Sequence, residues 1–75
     1  MNLGEYLREC RINKNLTTFD IQTKIGIAHR YLGEIENNRI KPSPFQLHKL
    51  AALYNVDYKD LMIKAGHIIS DQLHP

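Results

Sequence analysis

The sequence predicts an all-α fold, a compact bundle of five short helices. Three observations predict it. Apolar residues recur at three- and four-residue intervals and never alternate as they do in a half-buried strand. Cap residues stand immediately ahead of each of four of the apolar stripes: Asn2, Thr17, Ser43 and Asp57. Gly26 sits between two helical periods, Ile21/Ile25 and Leu32/Ile35. Two stripes so closely linked must face each other, which leaves the outer face of the second helix free to enter a DNA groove.

The first helix starts at Asn2, with Glu5 three residues on to complete a capping box. Leu3, Tyr6, Leu7, Cys10 and Arg11 line its inner face, and it ends near Lys14-Asn15, where asparagine tolerates a left-handed turn. The second starts at Thr17, with Asp20 as box partner and Leu16 and Ile21 as a hydrophobic staple. Gly26 ends it. The third runs from about His29 to Asn37, followed by a turn at Asn37-Asn38 and a loop over Lys41-Pro42-Ser43-Pro44. The fourth has Ser43 as cap, Pro44 at its first position and Gln46 as box partner, with Leu47, Leu50, Ala51 and Tyr54 inward. The fifth opens with Asp57 as cap and Val56 and Leu61 as staple, and runs towards Ala65-Gly66. The expected organisation is one domain over residues 1–66 and a tail or short helical extension over 67–75.

Composition sets further bounds. A hydrophobic fraction of 43% with charged residues at 24% suits a globular chain rather than a disordered one. A core this small is marginal unless its helices pack tightly or the chain pairs. There is no apolar run of membrane-spanning length and no signal-peptide pattern ahead of the first helix. The single cysteine, Cys10, cannot close an internal disulfide and fits a reducing, cytoplasmic setting. The net charge is only +2, but its distribution is uneven. Between Lys24 and Lys49 five basic residues (Lys24, Arg30, Arg39, Lys41, Lys49) face two acidic ones (Glu34, Glu36), a balance of +3; elsewhere five basic face six acidic, or −1. That places positive charge around the third helix and its exit loop, where a phosphate backbone would lie.

Catalysis finds no support. His29, His48, His67 and His74 lack metal-ligand spacing, one cysteine cannot build a zinc ribbon, and no glycine-rich loop follows a strand. Ser43 and Ser70 read as a cap and a tail residue rather than as nucleophiles. The expectation is a chain that is not an enzyme and needs no cofactor or metal.

The ordered set Arg11, Leu16-Thr17, Ile21, Ile25-Gly26-Ile27, Leu32, Ile35-Glu36, Lys41-Pro42-Ser43, Leu47, Leu50-Ala51, Val56 and Leu61 resembles the phage repressor/Cro family of helix-turn-helix proteins. The resemblance covers about Leu3 to Gly66. It implies a lambda-repressor-like domain and a transcriptional regulator, a repressor, that binds double-stranded DNA with its third helix in the major groove. Three positions depart from the family pattern: Gln22 stands in place of alanine where the two motif helices approach, Ala28 in place of the Ser or Thr cap, and Asn38 in place of glycine.

A helix entering the groove end-on presents its first turn and the same face one turn later, here His29, Arg30 and Gly33. Arg30 suits guanine O6 and N7, against a phosphate contact or a solvated charge. His29 is a base reader or a solvated side chain. Gly33 either admits close backbone approach or is tolerated at an open site. Glu34 faces sideways or reads a cytosine amino group, and Tyr31 packs on the body in preference to touching phosphate. Phosphate contacts are expected from Thr17 and Thr18 at an anion-binding helix start. The resemblance adds Asn37, Asn38, Arg39 and Lys41 past the third helix. It also implies that Arg11 pairs with Glu36 as a positioning ion pair.

One such domain spans few base pairs, so a homodimer on an inverted repeat is expected, with half-site centres about 10 bp apart. In the family arrangement Asn55 to Tyr58 is the expected contact between copies. A rival reading is a protein-interaction module, an antitoxin or the partner of an antirepressor, if Phe19, Phe45 and Tyr58 are exposed together.

Overall fold

The computed structural model describes residues 1–69. All five expected helices form: α1 (Leu3–Asn13), α2 (Thr18–Ile25), α3 (His29–Glu36), α4 (Pro44–Tyr54) and α5 (Tyr58–Lys64). None is long and apolar enough to cross a membrane.

The helices begin where side chains can take the orphan amides of a first turn. Thr17 and Ser43 build reciprocal capping boxes with Asp20 and Gln46. The box expected at Asn2 forms only by half. Asn2 accepts the Glu5 amide at 2.9 Å, but the Glu5 carboxylate takes the Asn2 side-chain amide at 2.7 Å instead of its backbone. Asp57 occupies the cap position of α5 without a side-chain cap bond. The ends follow the left-handed residues. Gly26 ends α2 at φ 74°, and Asn15, Asn38 and Asn55 take φ 58°, 61° and 57°. Asparagine therefore fills the backbone role of glycine at residue 38.

The inner stripes converge on one core. Leu7, Ile21, Leu32, Ile35, Leu47, Leu50 and Leu61 are fully buried, with Leu3, Ile27, Ala51, Tyr54 and Met62 around them. Each such aliphatic side chain contributes about 1.5–3 kcal/mol of transfer free energy. α3 packs on both α1 and α2, α2 also touches α4, and α4 packs on α5. One face of α3 is thus used up by the body. Tyr31, Leu16, Cys10 and Val56 are half-buried against the same core. Tyr31 packs on the body, as expected.

The body continues past α5. The His67 ring lies 2.7 Å from the Pro42 carbonyl, and Ile68 packs on the core. The rest of the expected tail, beyond residue 69, lies outside the described residues.

Candidate nucleic-acid interface

Two helix starts meet on one side of the molecule. At the start of α2 the Thr17 hydroxyl accepts the Asp20 amide at 3.0 Å, and the Asp20 carboxylate accepts the Thr17 amide at 2.8 Å. Those bonds, the Thr17 backbone first, hold the Asp20 carboxyl below its usual pKa. The Thr17 hydroxyl keeps its own hydrogen to donate outward. The amides of Thr18 and Phe19, in the first turn, have no intrahelical carbonyl to reach and point out of the helix end.

The start of α3 is built differently. Ala28 has no side chain to cap it. The acceptor comes from α2: Gln22 Oε1 takes the His29 amide at 2.9 Å. The two departures at Gln22 and Ala28 therefore compensate each other, and the longer side chain occupies the helix–helix approach as a cap. The second link is aromatic. Phe19 stacks on His29 with ring centroids 4.0 Å apart and planes 26° from parallel. Gln22 and Phe19 lock the first turn of α3 to α2.

On that turn Arg30 is exposed, and one turn on a Cβ built on Gly33 meets nothing within 4 Å. No internal contact demands glycine there. Past the far end of α3, about 12 Å along the helix at 1.5 Å per residue, Asn37, Arg39 and Lys41 are exposed. Arg39 pairs loosely with Glu34 at 3.4 Å, both side chains well exposed, an arrangement worth little in water. Glu34 therefore leans along the helix to Arg39. Asn38 is occupied. Its Oδ1 accepts the Gly4 amide at 3.0 Å, and its Nδ2 donates to Asn2 Oδ1 at 2.8 Å. It fastens the start of α1 to the end of α3. The contact is so close that a Cβ on Gly4 would fall 2.3 Å from the Glu36 carbonyl oxygen.

Arg11 and Glu36 form a two-pronged pair, Nε to Oε2 at 2.8 Å and Nη2 to Oε1 at 2.9 Å. The remaining prong reaches the Leu16 carbonyl at 3.0 Å. The side chains are 13% and 6% exposed, so the charges are largely out of water. The Glu36 hydrogen bond raises the Arg11 pKa further. Burial first, and Glu36 second, raise that of the Tyr54 phenol, which stays neutral. One pair thus joins α1, the α1–α2 loop and the end of α3.

The basic cluster divides in space. Arg30, Arg39 and Lys41 accompany α3, but Lys24 and Lys49 line an open concavity between α2 and α4 with Ile25, His48, Ala52 and Leu53. Lys49 is engaged there, donating to the Ile25 carbonyl at 3.1 Å and lying over the Phe45 ring. Proximity in sequence put Lys49 with α3; the fold turns α4 away. The three aromatic residues divide too: Phe19 lies on His29, whereas Tyr58 meets His48 edge-on, one turn from Phe45 on α4.

Four structural details do not follow from the apolar spacing: the Gln22 cap, the Phe19 stack, the Asn38 clamp and the close approach at Gly4. Only two carried a sequence signal. A helix start at Ala28 without a capping oxygen requires an acceptor from elsewhere, and a glycine inside a helix admits close approach, which is realised at Gly4 and not at Gly33. Among the described residues no group of three or more His, Cys, Asp or Glu side chains comes together to hold a metal ion.

Comparison with known proteins leads to the same family. Residues 4–67 match the model of a family described as helix-turn-helix domain. Over 66 residues the chain is 41% identical to an uncharacterized HTH-type transcriptional regulator, RghRB, of Bacillus subtilis strain 168, covering 87% of this chain and 48% of that protein. It is 37% identical over 68 residues to the HTH-type transcriptional repressor RghR of the same organism, covering 89% and 50%. It is 29% identical over 69 residues to the ImmF control region 10 kDa protein of Bacillus phage phi105, covering 92% and 77%. The chain thus spans about half the length of the two Bacillus subtilis relatives. No solved structure gives a significant match. With its glycine turn, its paired helix starts and a family match over residues 4–67, the chain belongs to the helix-turn-helix domain family of DNA-binding regulators.

Proposed function

We propose that this domain binds double-stranded DNA sequence-specifically as part of a transcriptional repressor, with α3 in the major groove. The observation that carries the reading is the joined start of α2 and α3, beside an α3 face left open at Arg30 and Gly33. His29, Arg30 and Gly33 meet base edges, and Arg30 is the natural donor to guanine. The outward amides of α2, with Thr17 and Thr18, take phosphate on one side of the groove. Asn37, Arg39 and Lys41 take it on the other. Asn38 contributes by holding the exit loop to α1, with its side chain already bonded. Arg11 and Glu36 set the angle of α3 against α1. The named repressor among the relatives favours repression over activation. Two copies on an inverted repeat supply the length of site that one domain lacks.

The test is selection from random duplexes followed by titration across salt. Affinity falls steeply as salt rises, because phosphate neutralisation releases counterions. Arg30→Ala relaxes preference at one or two base positions and costs about 1–3 kcal/mol on the selected site. Lys41→Ala weakens all sequences evenly and flattens the salt slope. The concavity of Ile25, Ala52 and Leu53, with Phe45 69% exposed nearby, supports a second reading, a face for a protein partner. Absence of binding to every selected duplex at low salt would favour that reading.

A further inference from the structure

Phe19 is the second residue of α2 and is 60% exposed, a large apolar surface set against His29 at the start of α3. It is held there. The His29 ring covers one of its faces, and the His29 backbone is itself fixed by Gln22. Nothing in the core uses this ring, which is absent from the buried cluster. It stands at the start of α2, whose outward amides suit phosphate, and against the first turn of α3, which the proposed function sets against base edges.

We propose that Phe19, braced by His29, reads the 5-methyl group of a thymine. The inference rests on the DNA-binding reading above and names a specificity residue on α2, outside the helix that enters the groove. Of the four base-pair edges in the major groove, only thymine presents an apolar group, its C5 methyl, and phenylalanine is among the side chains that meet it. That methyl projects at the wall of the groove, beside the backbone of its own strand. A side chain placed between a phosphate-binding helix start and a base-reading one faces that wall. A flexible exposed phenylalanine would lose rotamer freedom on binding; stacking on His29 fixes the ring beforehand. His29 thereby acts through Phe19 as well as through its own nitrogens.

The test titrates the unaltered chain against a selected duplex and a series in which each thymine in turn is replaced by deoxyuridine. The replacement keeps base pairing and removes only the methyl. At one or more thymines the affinity falls about three- to five-fold, the size expected for one buried methyl group. Phe19→Ala then binds the thymine and deoxyuridine duplexes equally at those positions, while its melting curve shows the fold retained. The proposal is overturned if no replacement changes the affinity of the unaltered chain, or if discrimination persists in Phe19→Ala. Retained binding without methyl discrimination removes this inference alone; failure to bind any selected duplex removes the DNA-binding reading with it. The deoxyuridine series needs no variant, so the first arm holds even if Phe19→Ala folds poorly.

Discussion

Gln22 and Ala28 lie six positions apart, yet they form one feature in space. A cap from within α3 is missing, and the side chain four residues before the glycine turn supplies it. Gln22→Ala is therefore expected to cost about 0.5–2 kcal/mol, the range for a lost cap. With Ala28→Ser already in place the same change costs less, because serine restores a local acceptor. Urea denaturation of the four proteins checks this; strictly additive losses would show that Gln22 does not act as the cap. Arg11 and Glu36 behave differently because both charges are mostly buried. Arg11→Met or Glu36→Leu alone strands one charge and costs about 3–5 kcal/mol, whereas the double variant loses far less. Thermal melting of singles and double tests it, and equal losses in all three would refute it. Only the double variant isolates the positioning role: it folds but binds the selected duplex more weakly, since α3 loses its ion-pair tie to α1 and keeps only the Asn38 clamp and the apolar packing.

Among the elements, α3 shows most clearly what spacing reveals and what it hides. Its start, its end and its buried Leu32 and Ile35 follow from the apolar period and the turn residues. Gly33 and Gly4 show the limit. Both are glycines within helices, and each costs about 1 kcal/mol relative to alanine. A Cβ has open space at Gly33 but collides with the Glu36 carbonyl oxygen and Asn38 at Gly4. Gly33→Ala is thus expected to raise stability by about 1 kcal/mol and, on the proposed docking of α3, to weaken duplex binding by placing a methyl group in the path of a base edge. Gly4→Ala lowers stability. Denaturation and duplex titration on both variants separate the cases; unchanged affinity for Gly33→Ala would show that site to be merely tolerant.

For the whole molecule, the sequence charge of +2 says less than its placement. Arg30, Arg39 and Lys41 stay with α3, and Lys24 and Lys49 go to the α2–α4 concavity. The expected corner between copies, Asn55 to Tyr58, offers little open apolar surface. Val56 and Tyr58 are both half-buried on the core. The free chain is therefore expected to be monomeric and to pair on DNA. Analytical ultracentrifugation with and without the selected duplex checks it. Saturation at one chain per duplex, on a site lacking inverted symmetry, would rule the paired model out.

The sequence by itself determined the helices and the core. Helix periodicity, caps and left-handed turns are local, set by residues within four positions of one another, and Thr17 with Asp20 or Ser43 with Gln46 can be read without knowing the fold. It also marked the open turn of α3, since any glycine-linked pair of amphipathic helices leaves one face outward. Tertiary structure alone decided which side chains remain available there. Asn38 is taken by Gly4 and Asn2, Lys49 by the Ile25 carbonyl, and Phe19 is held on His29. These contacts depend on how separate helices cross, and the apolar spacing along each helix does not record that.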